Sequence, residues 1–165
     1  MRYAGIIPND TSNAGAGMCL SFYTQGCPHM CEGCHNPETW NQDGGYEFTT
    51  EVLNEIIAGI GANGIKRNFC VLGGEPLSDE NVFLTFLVVD HVRKAYPDIR
   101  IYLWTGYTYD ELQHRSSSQR INDILNLCDF LIDGKYEKSL RDVTLPLRGS
   151  INQNIINLKQ MNTND

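Results

Sequence analysis

The sequence predicts an α/β fold: a single domain over residues 1–165, built as an open, partial α/β barrel of parallel strands. Short apolar runs rich in β-forming residues begin near residues 69, 99 and 129, so successive strands start 30 residues apart, the length of a strand and its following helix. A complete eight-stranded barrel takes about 250 residues. With 165 residues, the barrel is expected to be incomplete.

The predicted strands are each followed by polar residues or glycine. They cover residues 18–24, 68–72, 99–104 and 129–133. Because helices alternate with strands, the sheet is expected to be parallel with right-handed crossovers. Residues 135–149 show no period and are expected to form a loop, and "SINQNIINL" (150–158) is ambiguous between strand and helix.

Apolar residues at three- and four-residue spacing predict three helices between these strands. The first is expected to begin at Thr49 or Thr50 and to end near Gly61. The second is expected to be capped by Ser78, with acidic residues in its first turn. The third follows "RSSS" (115–118).

Composition restricts the class of function. The net charge is −7 without a basic cluster, which argues against nucleic-acid binding. No apolar run approaches the ~20 residues of a membrane span, and the N-terminus lacks the apolar core of a signal peptide. The six cysteines are therefore expected in a reducing cytoplasm, where metal or redox chemistry outranks disulfides.

Four polar clusters directly follow the four predicted strands. They are a cysteine loop, "GGEP" (73–76), "TGY" (105–107) and "DGK" (133–135). Loops at the carboxyl ends of parallel strands converge on one face of a sheet. The clusters are therefore expected to share one mouth.

The stretch "GCPHMCEGCHNPETW" (26–40) has three cysteines in the spacing C-x3-C-x2-C. Three thiolates on a four-iron cluster would leave one iron open to an external ligand. The alternative is a structural zinc site with His29 or His35 as the fourth ligand. "GGEP" favours the cluster, because its glycines admit a ligand and Glu75 can accept hydrogen bonds from an ammonium group.

A C-x3-C-x2-C loop after the first strand and "GGE" after the second resemble the radical S-adenosylmethionine superfamily. Within it, "GCPHMCEGCHNPETW" and the distant "LPLRGSINQNII" (145–156) resemble the activating proteins of anaerobic ribonucleoside-triphosphate reductases. The resemblance extends from the first strand to Leu158. It implies a radical S-adenosylmethionine domain and an enzyme, a glycyl-radical activating oxidoreductase.

The resemblance also implies the ligands and their residues. One 4Fe-4S cluster is expected, with S-adenosylmethionine bound at its open iron. The cluster ligands would be Cys27, Cys31 and Cys34. Gly73, Gly74 and Glu75 would hold the methionine amino group. Thr105, Asp133 and Lys135 are further candidates for contact with S-adenosylmethionine, the last two near its carboxylate.

The implied reaction is reductive cleavage of S-adenosylmethionine to a 5′-deoxyadenosyl radical, which generates a glycyl radical on the reductase. The implied partners are that reductase and an electron donor such as flavodoxin or ferredoxin. The alternatives are an activator of pyruvate formate-lyase or another glycyl-radical enzyme, and a non-catalytic zinc or iron–sulfur electron-transfer module. The sequence does not decide the reductant, the docking surface, the oligomeric state, or the roles of Tyr23, His29, Trp40, Arg148, Asn152 and Gln153.

Overall fold

The computed structural model describes residues 1–13, 15 and 17–163. For residues 162 and 163 it describes the backbone only. Residues 14, 16, 164 and 165 of the predicted domain lie outside this description. The described chain forms a mixed α/β fold with one seven-stranded sheet and five α-helices. No helix in it is long and apolar enough to cross a membrane.

The strands lie in the order β3-β1-β2-β4-β5-β6-β7. Their bounds are β1 Arg2–Asp10, β2 Cys19–Thr24, β3 Tyr46–Glu47, β4 Asn68–Gly73, β5 Ile101–Trp104, β6 Phe130–Asp133 and β7 Asn154–Asn157. The sheet is open, since the described edge strands β3 and β7 each pair with one neighbour only. The four predicted strands correspond to β2, β4, β5 and β6, which run parallel to one another.

The prediction of an all-parallel sheet is wrong at both edges. Strands β1, β3 and β7 pair antiparallel with their neighbours. A parallel pair needs a crossover of a dozen or more residues, usually a helix. Only residues 11–18 join β1 to β2, and no α-helix lies between β6 and β7, so both connections return the chain antiparallel.

The helices confirm the predicted pattern, with one corrected start. They are α1 Thr50–Ile60, α2 Val82–Ala95, α3 Tyr109–Gln113, α4 Ser118–Leu127 and α5 Leu158–Thr163. Thr49 caps α1, and its side chain accepts a hydrogen bond from the Val52 amide. The predicted cap of α2 at Ser78 is wrong, because Ser78 closes a separate turn and Asn81 is the residue that precedes the helix.

The remaining loop assignments are also resolved. Residues 135–149 are largely loop, as predicted, with one 3-10 turn at Lys138–Leu140. The ambiguous segment is both a strand and a helix, because β7 ends at Asn157 and α5 begins at the next residue. The short α3 was not predicted, since five residues carry too little periodicity to identify a helix.

The helices cover one face of the sheet. Each helix contributes to the larger apolar cluster, for example through Leu53, Val88, Leu112, Ile121 and Leu158. The other face carries a smaller cluster around Cys19, Cys70, Tyr102 and Ile132. Cys19, Cys70 and Cys128 are fully buried. Leu147, from the loop over residues 135–149, packs against the smaller cluster.

Candidate active site at the carboxyl ends of the parallel strands

One cavity of about 500 Å³ opens at the carboxyl ends of the parallel strands. This volume is within the ~300–1,000 Å³ usual for ligand pockets. Its lining includes Cys27, Cys31, Cys34, Gly73, Gly74, Glu75, Thr105, Gly106 and Gly134. The prediction that the four clusters share one mouth is therefore confirmed.

The three cysteines of the loop are free and half-buried. The Asn36 amide donates a hydrogen bond to Cys34 Sγ at 3.4 Å. The backbone of His29 and Met30 lowers the pKa of Cys27, and that of Tyr136 lowers the pKa of Cys31, in both cases against the effect of burial. Amide donors stabilise thiolates and set the reduction potential of bound iron–sulfur clusters. The donor set therefore fits a group held by three thiolates.

Burial raises the pKa of the Cys27 and Cys31 thiols. The Glu75 carboxylate raises the pKa of Cys27 further, and Cys34 does the same for Cys31. Thiols with raised pKa values keep their protons until a metal displaces them. Among the described residues, no three His, Cys, Asp or Glu side chains converge as ligands of a single metal ion, and neither His29 nor His35 completes such a group.

Glu75 is fully buried and its carboxylate holds three segments together. Oε1 accepts hydrogen bonds from the Leu77 amide at 2.9 Å and the Thr105 hydroxyl at 2.8 Å. Oε2 accepts one from the Gly106 amide at 2.7 Å and contacts His29 Nε2, also at 2.7 Å. With two partners on each oxygen, the carboxylate can receive an ammonium group only if one partner shares or yields its place.

His29 connects the cysteine loop to this network. Its ring packs edge-on against Tyr107, with centroids 4.5 Å apart, and a Cβ added to Gly106 would collide with the ring. The prediction could not find this contact, because the partners of His29 lie 46 and 78 residues further along the chain. His29 therefore links the cysteine loop to the "GGEP" and "TGY" segments.

The two glycines of "GGEP" lie directly against the end of β2. Gly73 has a φ of +108°, and a Cβ there would come within 2.7 Å of the Thr24 amide nitrogen. A Cβ on Gly74 would collide with the carbonyl of Gly26. Glycine is thus required here by contact between two backbones, while both residues also line the cavity.

Asp133 and Lys135 do not line the cavity. The Asp133 carboxylate is buried and accepts hydrogen bonds from the Tyr109 amide at 2.8 Å and from Asn154 at 3.1 Å, so it holds the start of α3 and the edge strand. Lys135 is exposed, although its charge lowers the pKa of Cys31 in opposition to burial.

Several undecided residues now have positions. Tyr23, Trp40 and Arg148 line the cavity. Gln153 also lines it but holds the loop, since its Oε1 accepts from the Gly149 amide and its Nε2 donates to the Gly134 carbonyl. The lining also includes Trp104, Tyr136, Leu145 and Leu147, which the sequence analysis did not identify. Tyr136 directly follows "DGK", Trp104 directly precedes "TGY", and both leucines belong to "LPLRG" (145–149), so their positions beside these motifs could have indicated them.

Comparison with known proteins identifies the family. The family described as "4Fe-4S single cluster domain" matches residues 13–156. The chain is 36% identical over 160 residues to the anaerobic ribonucleoside-triphosphate reductase-activating protein of Salmonella typhi, which covers 96% of this chain and 100% of the relative. The chain belongs to this family of activating proteins.

The same similarity extends to other members of the family. The activating protein of Escherichia coli K12 is also 36% identical, over 96% of this chain and 100% of its own. The activating protein of Enterobacteria phage T4 is 35% identical over 94% of this chain and 93% of its own. The family resemblance given by the two sequence motifs is thus confirmed.

Proposed function

We propose that this protein activates an anaerobic ribonucleoside-triphosphate reductase by generating a glycyl radical on it. The observation that carries the proposal is the cavity that three free thiols line together with the "GGE" segment. Membership of the activating-protein family and the match to a 4Fe-4S domain support it. The relatives match this chain over their whole length and are named as activating proteins of the reductase. This favours the reductase over pyruvate formate-lyase as the partner.

Cys27, Cys31 and Cys34 are proposed as the ligands of a single 4Fe-4S cluster. A cluster held there would supply one electron, received from a donor such as flavodoxin or ferredoxin, for reductive cleavage of the C5′–S bond of S-adenosylmethionine. The products would be methionine and a 5′-deoxyadenosyl radical, which would take a hydrogen atom from a glycine Cα of the reductase. The protein binds the reactants, orients them and excludes water.

Gly73, Gly74, Glu75 and Thr105 are proposed to form the wall that faces the methionine end of S-adenosylmethionine. The Glu75 carboxylate orients Thr105 and Gly106 through its hydrogen bonds. The aromatic rings of Tyr23, Trp40 and Tyr136 in the lining give the adenosyl end apolar surface.

The open sheet is proposed to be the partial barrel of the radical S-adenosylmethionine type. In the described chain its two edge strands, β3 and β7, do not pair with each other. A gap of this kind would admit a glycine-bearing loop of a large partner, which would then supply part of the wall around the cavity.

The test is anaerobic reconstitution with iron and sulfide, followed by dithionite and S-adenosylmethionine. The proposal predicts about four iron atoms per chain and formation of 5′-deoxyadenosine. Protein isolated without air that carries stoichiometric zinc and no iron would contradict it, and would favour the structural module instead. Iron without 5′-deoxyadenosine would favour an electron-transfer module.

A further inference from the structure

Arg148 is the permanent cation of the cavity. Among the cavity-lining residues that the structure describes, it is the only lysine or arginine. Glu75, the one carboxylate in the same lining, is already occupied by four hydrogen-bond partners. The cavity therefore offers an anionic ligand group a single fixed positive charge.

The backbone on both sides of Arg148 is fixed. Leu147 has a φ of +61°, a left-handed conformation that persists in a non-glycine residue only where its surroundings hold it. Trp104 Nε1 donates to the Leu147 carbonyl at 2.7 Å, and the Gly149 amide donates to Gln153 Oε1 at 2.9 Å. The direction in which Arg148 leaves the chain is therefore set before any ligand binds.

The guanidinium has donors to spare. Its Nη1 donates to the Gln153 carbonyl at 3.2 Å, its Nε is buried without a partner, and its Nη2 has no hydrogen bond to any described residue. No ion pair joins Arg148 to a carboxylate in the described part of the chain. A buried donor without a partner costs free energy, and a planar guanidinium matches a carboxylate with two parallel hydrogen bonds.

We propose that Arg148 binds the carboxylate of S-adenosylmethionine. This inference rests on the proposed function and assigns to Arg148 the position beside the carboxylate that the sequence suggested for Asp133 and Lys135. Asp133 is buried and its oxygens hold backbone and side-chain donors of the fold, while Lys135 is exposed and outside the cavity lining. Arg148 has the charge, the free donors and the location that the role requires.

The experiment compares S-adenosylmethionine with its decarboxylated analogue. Affinities of both are measured by anaerobic calorimetry on cluster-loaded wild type, Arg148→Gln, Lys135→Gln and the control Arg141→Gln, an exposed residue of the same loop. Both ligands enter the same pocket, so the ratio of their affinities isolates the carboxylate contact from general damage. Iron content and circular dichroism confirm that each variant is loaded and folded.

Arg148→Gln is expected to weaken S-adenosylmethionine by about 10- to 100-fold, the loss of a charged hydrogen bond, and to leave the analogue within about twofold. Arg141→Gln should change neither affinity. An equal loss for both ligands, or a carboxylate-specific loss in Lys135→Gln alone, would overturn the assignment. If Arg148→Gln fails to load iron, Arg148→Met replaces it, because Met has a long side chain without charge or donors. An unchanged affinity ratio in that variant would reject the proposal. Wild type that binds S-adenosylmethionine without cleaving it would instead reject the proposed function.

Discussion

Replacing Glu75 with Gln should destabilise the protein and loosen the cysteine loop. The amide side chain has the same shape but only one acceptor oxygen. If its NH₂ group takes the place of Oε2, the Gly106 amide loses its acceptor, and if it takes the place of Oε1, the Leu77 amide does. Either orientation therefore leaves one backbone N–H without a partner.

The size of the effect follows from these contacts. An unsatisfied buried amide costs about 1–3 kcal/mol, and loss of the charge weakens the remaining bonds, so the free energy of unfolding should fall by about 2–4 kcal/mol. The contact between His29 and Glu75 weakens as well, and with it the link between the cysteine loop and the rest of the cavity. We expect a lower iron content after reconstitution.

The assay is urea unfolding of the cluster-free protein under anaerobic, reducing conditions, with iron analysis after reconstitution. Glu80→Gln is the matched control, since the same change at an exposed carboxylate nearby should alter stability by less than about 0.5 kcal/mol. Unchanged stability and iron content in Glu75→Gln, together with weaker binding of S-adenosylmethionine, would refute this reasoning. The carboxylate would then be a direct ligand of the methionine amino group, as the sequence alone suggests.

Two further predictions concern the thiols and a buried carboxylate. Replacing Cys27, Cys31 or Cys34 with Ala should abolish iron binding, whereas Cys70→Ala, in the core, should retain it; iron analysis checks both, and full iron in any loop variant would contradict the ligand assignment. Asp10→Asn should lower the free energy of unfolding by about 1–3 kcal/mol, because the buried carboxylate accepts several hydrogen bonds. Burial opposes ionisation, but those bonds hold the pKa of Asp10 below its ordinary value. Its stabilising effect is therefore complete above the unfolded-state pKa of ~4 and is lost as pH falls through the native pKa. Urea unfolding across pH should show the gap between wild type and variant closing in acid, and a gap independent of pH would contradict the explanation.

The centre of the fold could be predicted because its pattern is local. Each parallel strand is an apolar run with its own punctuation, and each long helix carries its own periodicity. Strand β1 escaped prediction because Gly5 and Pro8 interrupt its pattern, and Pro8 lies at a shift of register between Ile7 and Asp10. The direction of β7 depends on a connection without a helix, which the sequence shows only as an aperiodic loop.

The candidate site divides in the same way. The cysteine spacing and "GGE" are contiguous motifs and could be recognised. The partners of Glu75 lie 31 residues ahead at Gly106 and 46 residues behind at His29, so their hydrogen bonds exist only after folding. The orientation of Arg148 likewise depends on Trp104, a residue 44 positions earlier.

The most direct test of the central claim is electron paramagnetic resonance of the partner after activation. The reconstituted, reduced protein is mixed with S-adenosylmethionine and either an anaerobic ribonucleoside-triphosphate reductase or pyruvate formate-lyase, and 5′-deoxyadenosine is assayed in parallel. We predict a glycine-centred doublet on the reductase and a higher yield of 5′-deoxyadenosine in its presence. If S-adenosylmethionine is cleaved but the reductase acquires no doublet while pyruvate formate-lyase does, the partner is wrong and only the radical chemistry stands.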